Sequence, residues 1–563
     1  MSPNQIKIDV LDVSQCTYAE RVCAAALQGL VNREGPCLFL DYGIYDEHSA
    51  RRTNEDFMDD EIWYGKYREL LGPQDQRNLA YYQKEHGVEP QPLANLDAAV
   101  EKYRGRLHGI VVWEAAMLDT VNIALMLAAR DDLLVVEAAD LPSTLAHGLE
   151  VVHDLRGRWT DRVVLYEWAF KELFPACEPG RVACIEPDWQ RPEFIDYVVQ
   201  HKIFTYSLSS KQEGLGGTLL LLLSFGPAWL RELIFTLRLD SPIRRLAVNW
   251  LGRHSPEIAL NNRIQKAVRS DTYPTLFGWH TRRDDEMTFM LLLSANGLRL
   301  VPSHLAANFS FHSRVKPLGL NARAARPAPA LDPEGTYIIF TLSDGDQLMM
   351  MSTAELGSWY SPRRGEVPFN WECQPLLMEI APALLEKFLN GATANDCLVA
   401  GPSGAGYIVP PLAPDLTGYM RETLRLCGQA GINVVTTYVP DPPKPVQHKL
   451  AHQSRGKINF MAGYAILGRA PMNRVEDTMI VANQMPTLEQ IWYPADKLMT
   501  CLRDLIAKPA PGPRFIGVHL FAYRTAYEDI VRFAETLNDP HVHIVRADDF
   551  LELARIHTQN FHR

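Results

Sequence analysis

Short runs of consecutive apolar residues alternate with longer stretches of helical periodicity along this chain. In the first half the runs Cys37–Leu40, Gly109–Trp113, Leu133–Val136 and Val163–Tyr166 read as buried strands, each followed by a segment that reads as a helix. Alternation of this kind predicts an α/β fold with parallel strands, here an N-terminal α/β sandwich domain over residues 1–235. From 236 to 563 a second series follows: Thr275–Trp279, Leu298–Val301, Tyr337–Leu342, Cys397–Ala400, Ile432–Tyr438, Ile458–Met461, Met479–Ala482 and Phe515–Leu520. Seven or eight strands separated by helices predict a (β/α)7-8 barrel-like domain, ending in a strand near Val542–Val545 and a helix over Asp548–Ile556. Arg314–Gly335, after Leu298–Val301 and before Tyr337–Leu342, is rich in Pro, Ala and Arg and reads as a long connection within or beside the barrel.

The most lipid-like segment, Thr218–Phe225 continuing to Leu239, is interrupted by Gly226-Pro227 and Arg231-Glu232, so it reads as buried structure rather than a bilayer span. The 563 residues, 47% hydrophobic and 22% charged, suffice for two or three domains with substantial cores. A formal net charge of -11 argues against nucleic acid or an anionic membrane as partner, favours a small or oligomeric neutral ligand, and leaves self-association open. The first residues carry neither the basic region nor the apolar stretch of a secretory signal, and the nine cysteines form no C-x-x-C pair. A reduced, cytoplasmic setting is the expectation from both.

The densest local signal is Gly401-Pro402-Ser403-Gly404-Ala405-Gly406-Tyr407-Ile408-Val409-Pro410-Pro411, directly after the apolar run Cys397–Ala400. Its glycines permit tight geometry and close ligand approach, and the two prolines stiffen the exit, so Tyr407 is expected on a shaped binding surface. Gly404 to Pro410 resembles the signature of the GxGYxYP family, grouped with glycoside hydrolases, with Val409 where that signature has its second tyrosine. Leu27-Gln28-Gly29-Leu30-Val31-Asn32-Arg33, Ser343-Asp344-Gly345-Asp346, and Trp371 followed by Pro375 and Ala381-Pro382 also resemble that family, so the likeness spans most of the chain. What it implies is a sugar-processing protein.

Active sites of barrels gather at the carboxyl ends of the strands. That rule selects Trp279, His280 and Glu286; Ser303 and His304; Asp344 and Asp346; Ser403 and Tyr407; Tyr438 and Asp441; Tyr464; Asn483; and His519 with Tyr523. Asp344 and Asp346 have the strongest chemical character, because close carboxylates split their pKa values and can divide acid and base roles. The bland alternative is a helix cap with a solvated first turn. Residues two apart on one turn seldom span the roughly 5 to 9 Å between glycosidase carboxyls, so a second carboxylate is expected from another strand, with Glu286 the candidate. Its alternative is an ordinary acidic helix start. Tyr407, Trp279 and Trp371 are candidates to stack on sugar faces, with His280, His519, Ser403, Gly404, Gly406 and Asn308 around them. For Trp371 a core position, and for Asn308 a turn, are the bland alternatives.

Three functions fit. The first is a hydrolase in which Asp344 or Asp346 and Glu286 share the acid and base roles, with no cofactor required. The second is a metal-dependent, deacetylase-like hydrolase in which Asp344 and Asp346, with His519, hold a divalent cation. The third is a non-catalytic sugar-binding protein.

Overall fold

The computed structural model describes residues 5–43, 74–189, 194–211, 214–251, 253, 255–280, 286–303, 306–321, 329–343, 348, 351, 359–437, 441–462, 472–487, 489–491, 493–521 and 525–560. Among the described residues, three small parallel sheets precede one large one. The first is built from β1 (Ile6–Asp12), β2 (Leu38–Asp41) and β3 (Val88–Pro92), the second from β4 (Ile110–Trp113), β5 (Leu134–Glu137) and β6 (Val151–Asp154). The third joins β7 (Arg181–Cys184), β8 (Phe204–Tyr206), β9 (Thr275–Gly278) and β10 (Arg299–Val301) in the order β10-β9-β7-β8. The helix Tyr18–Val31 is buried from Val22 onward and opens with a capping box between Thr17 and Glu20.

Val163–Tyr166 is not a strand. Asp161 accepts a hydrogen bond from the Val164 amide and caps a helix over Arg162–Glu172, in which Leu165, Tyr166 and Ala169 face inward while Val164 is exposed. Thr275–Trp279 and Leu298–Val301 do form strands, but they pair with β7 rather than with the later series.

The large sheet contains β11 (Thr336–Ser343), β12 (Phe369–Cys373), β13 (Asp396–Ala400), β14 (Val434–Thr437), β15 (Asn459–Ala462), β16 (Met472–Val475), β17 (Thr478–Ala482), β18 (Arg514–Phe521) and β19 (Val542–Ile544). Its order is β16-β17-β15-β14-β13-β12-β11-β18, parallel except for the β16–β17 hairpin, with β19 beside the start of β11. The sheet curls until the residues after β17 reach β18: Gln484 N donates to Gly517 O at 2.8 Å and His519 N to Met485 O at 2.9 Å. The result is a barrel-like curl.

Helices cover its outer face, where Ile338, Phe340, Trp371, Leu398, Val435, Phe460 and Val518 join the main core. Along the inner face the lower half is apolar. Tyr337, Ile339, Cys397, Val399, Val434, Met461, Val481 and Phe515 pack there against Ala547, Phe550, Leu551 and Ala554 of the C-terminal helix Ala547–Asn560. That helix plugs the bottom of the curl. Asn370 marks the top of the plug, accepting from Ala547 N at 2.7 Å and donating to Phe340 O at 2.8 Å.

No single helix among the described residues is long and apolar enough to cross a membrane. The lipid-like segment forms two helices, Leu215–Phe225 and Ala228–Thr236, bent by 95° at Gly226-Pro227.

Candidate functional site

Above the plug, the same inner face turns polar. Strand alternation puts Thr341, Glu372, Thr436, Asn483 and His519 on the side that carries the plug residues below them, and all five are buried. The register sets Thr341 beside His519 on neighbouring strands. Thr436 donates its hydroxyl hydrogen to Oε1 of Glu372. Gly401 lies at this contact, because a Cβ built on it would stand 1.8 Å from Thr436 Oγ1 and 2.4 Å from Glu372 Oε1. Gly517 does the same for Asn483, whose Oδ1 would be 2.5 Å from its Cβ. Two glycines thus leave room for polar side chains that a bulkier strand would exclude.

Burial pushes the imidazole of His519 down to about 3, so it is neutral at ordinary pH. Among the described residues, Thr341 Oγ1, Gln374 Nε2, Thr525 Oγ1 and both carboxylate oxygens of Glu528 are buried without a hydrogen-bond partner. These four residues all lie at or just beyond carboxyl ends of β11, β12 and β18. Buried polar atoms are nearly always satisfied, and these exceptions lie near one rim, although others are spread through the fold, among them Asn122, Tyr206, Tyr273, His312 and Thr478.

Asp344, Asp346, His304, Tyr438, Tyr464 and Tyr523 lie outside the described residues. Asp344 follows Ser343, the last residue of β11.

The loop after β13 proves to be a buried joint, not an exposed platform. Tyr407 pairs with Leu300 of β10 through Tyr407 N to Leu300 O at 2.6 Å and Leu300 N to Tyr407 O at 2.9 Å. Arg299 Nη1 donates to Ala405 O, Tyr419 Oη to Gly406 O, and Ser403 Oγ to Ile408 O. Gly404 and Gly406 have φ of +127° and +103°, and a Cβ on either would press on Thr423 or on β10. The loop therefore fastens the large sheet to the third sheet.

On the third sheet's side stand Trp279 and His280, just past β9. The Trp279 ring lies 6.1 Å from that of Tyr407, and His280 Nε2 lies 3.7 Å from Oε1 of buried Glu186, just past β7. The joint thus has a carboxylate on each flank, Glu186 and Glu372. Sequence reading missed both; their signal was a carboxylate within or just beyond an apolar strand.

Trp371 and Asn308 do not join this group, and Glu286 is exposed. Trp371 is on the outer face, its Nε1 donating to Asp396 Oδ1 at 2.8 Å and its ring packed on Trp359, Phe369 and Tyr527. Asn308 is a turn residue at φ +63°, fully buried and bonded to Gln28, Leu40 and Asp75. Glu286 is exposed at the head of the helix Glu286–Ala295. Among the described residues no three His, Cys, Asp or Glu side chains are grouped to hold a metal ion.

The motif near the start also has a structural explanation. Gln28 and Asn32 reach Asn308 and Ser310, while a Cβ on Gly29 would stand 2.3 Å from Asp196 O, so this helix packs directly on the helix Ile195–Gln200.

No curated protein matches the sequence at a significant level. A crystal structure described as "a putative hydrolase from Bacteroides thetaiotaomicron VPI-5482" superposes with a TM-score of 0.72 at 17% identity, over 99% of this chain and 96% of that one. The two share a fold. A "putative polysaccharide deacetylase from Mycobacterium smegmatis" overlaps at a TM-score of 0.27 and 11% identity, over 42% of this chain and 96% of that one, too loosely to bear on the fold. Residues 334–555 match the "GxGYxYP putative glycoside hydrolase C-terminal domain", 107–177 the "GxGYxYP_N second domain" and 230–314 the "GxGYxYP third domain". With the joint at Gly404–Tyr407 and three domains of one family matched in order, this chain belongs to the GxGYxYP family.

Proposed function

We propose that the protein is a glycoside hydrolase whose chemistry is done by carboxylates at the open end of the curled sheet. The observation that carries this reading is Glu372. It is a buried carboxylate held by Thr436, on the polar upper half of the inner face, in a chain whose family is grouped with glycoside hydrolases. Cleavage of a glycosidic bond needs one carboxyl to protonate the leaving oxygen and another to act as nucleophile or to activate water. Glu372 fills one of these roles. To Asp344 or Asp346, which follow Ser343 of β11 in the sequence, falls the other.

His519, neutral, donates or accepts one hydrogen bond to a sugar hydroxyl without adding charge beside the carboxylates. Asn483 and Thr341 bring further hydroxyl partners to the same face. Substrate is then a neutral saccharide held in a polar, water-poor mouth.

The test is turnover of a panel of aryl glycosides and oligosaccharides by wild type, Glu372→Gln and Asp344→Asn, with and without chelator. Chelator-insensitive cleavage lost in both variants supports the reading. Cleavage that survives in Glu372→Gln rejects it, and activity abolished by chelation transfers the reading to a metal-dependent hydrolase.

A further inference from the structure

Away from the mouth, a cleft of ≈ 550 Å³ opens between the helix Ala228–Thr236, the start of the helix Lys444–Ser454 and the β16 hairpin. Its volume is within the range of small-molecule sites. One wall presents Trp229, 70% exposed, an unusual position for the side chain with the largest apolar face.

The cleft is built, not incidental. Buried Arg231 donates to Gly226 O at 2.9 Å and Ser224 O at 3.2 Å on its own side, and to Asp441 O at 2.7 Å on the other. Glu232 Oε2 accepts from Lys444 N at 2.9 Å, and Asn473 Nδ2 donates to Gln447 Oε1 at 3.2 Å. These bonds cross between the helices and the hairpin, so the walls keep their spacing without a ligand.

Charge in the lining is balanced. Glu232, Asp441 and Glu476 are offset by Arg231, Lys444 and Arg474, which disfavours a strongly anionic or cationic ligand. An aromatic face beside many donors and acceptors with no net charge suits a molecule having apolar C–H faces and many hydroxyls. We propose that this cleft is a second saccharide-binding site, taking neutral oligosaccharide through a stack on Trp229 and hydroxyl contacts to Asn473, Asp441 and Glu476. The choice of saccharide over other polyols rests on the reading of the mouth. Asp441 lies five residues beyond Thr436, at most about 18 Å of chain, so one polymer can engage cleft and mouth together.

The experiment is titration of the full-length protein with cello-, malto-, manno- and xylo-hexaose, followed by tryptophan fluorescence and calorimetry, in wild type, Trp229→Ala and Asn473→Ala. Thermal melts confirm that these surface variants fold. Expected is binding of at least one hexaose, weakened at least tenfold in Trp229→Ala and several-fold in Asn473→Ala, with KM raised for polymer but not for an aryl monoglycoside. Absence of any hexaose binding, or binding equal in all three proteins, overturns the proposal. A change of oligomeric state in Trp229→Ala without any change in sugar binding also overturns it, making the Trp229 face a protein contact. Trp229-dependent binding without turnover would leave this site standing and remove the hydrolase reading. Turnover with Trp229-independent binding would do the reverse.

Discussion

Trp371 and Glu372 are consecutive in β12 and point to opposite sides of the curled sheet. Trp371 packs into the helical layer outside, while Glu372 meets Thr436 inside. Replacing Glu372 by Gln keeps the volume and the Thr436 contact but removes the charge and the proton exchange. The expected outcome is a loss of glycoside turnover of about 10²- to 10⁴-fold with the melting temperature little changed. Steady-state kinetics beside a thermal melt checks it, and an equal fall in both would reduce Glu372 to a structural group.

Gly401 makes room for that contact, so Gly401→Ala drives a methyl into Thr436 and Glu372. Overpacking of this sort costs about 1–3 kcal/mol. Thr436→Ala removes the nearest atom, so the double variant should be less destabilised than the sum of the singles. Urea unfolding of the four proteins measures the coupling, and strict additivity would contradict the geometry.

Much of the α/β alternation was legible because β-branched runs bounded by polar or glycine-rich segments leave little alternative to a buried parallel strand. The pairing of those strands was not. β9 and β10 look locally like barrel strands, yet they join β7, since a parallel strand's partner is set by long-range packing that no local pattern records. Phe369-Asn370-Trp371-Glu372-Cys373 escaped notice for a related reason: its polar residues face the inside of a curl, where a half-exposed strand would put solvent. That inversion hid Glu372 and made Trp371 look functional. The Gly404–Tyr407 loop was conspicuous for its glycines, whose positive φ values are real, but the close approach they permit is to β10 and Thr423.

Asn308 spends its side-chain amide on four contacts, with Gln28, Leu40 N, Leu40 O and Asp75. Burial already pushes the Asp75 carboxyl well above its usual range, and the bond from Asn308 opposes that rise. Asn308→Ala therefore strands several buried groups and should destabilise the fold by on the order of 3 kcal/mol. It should leave KM unaltered in whatever protein remains folded. A changed KM at full stability would return Asn308 to the ligand site.

Deeply buried histidines contribute to the acid response. His519 and His312 are lowered by burial to about 3, and His201 to about 4, against 6.5 in the unfolded chain. Above pH 6.5 both states hold neutral imidazoles, and the contribution to stability is fully present. As pH falls below 6.5 the unfolded chain takes up protons that the folded protein refuses, so stability declines until the folded values near 3 to 4 are passed. Each such histidine contributes a slope of at most about 1.4 kcal/mol per pH unit in that window. His519→Asn removes one of these slopes. Its urea midpoint should fall below that of wild type at pH 7.5 and lie closer to it at pH 5, whereas parallel profiles would show that His519 accepts a proton without unfolding.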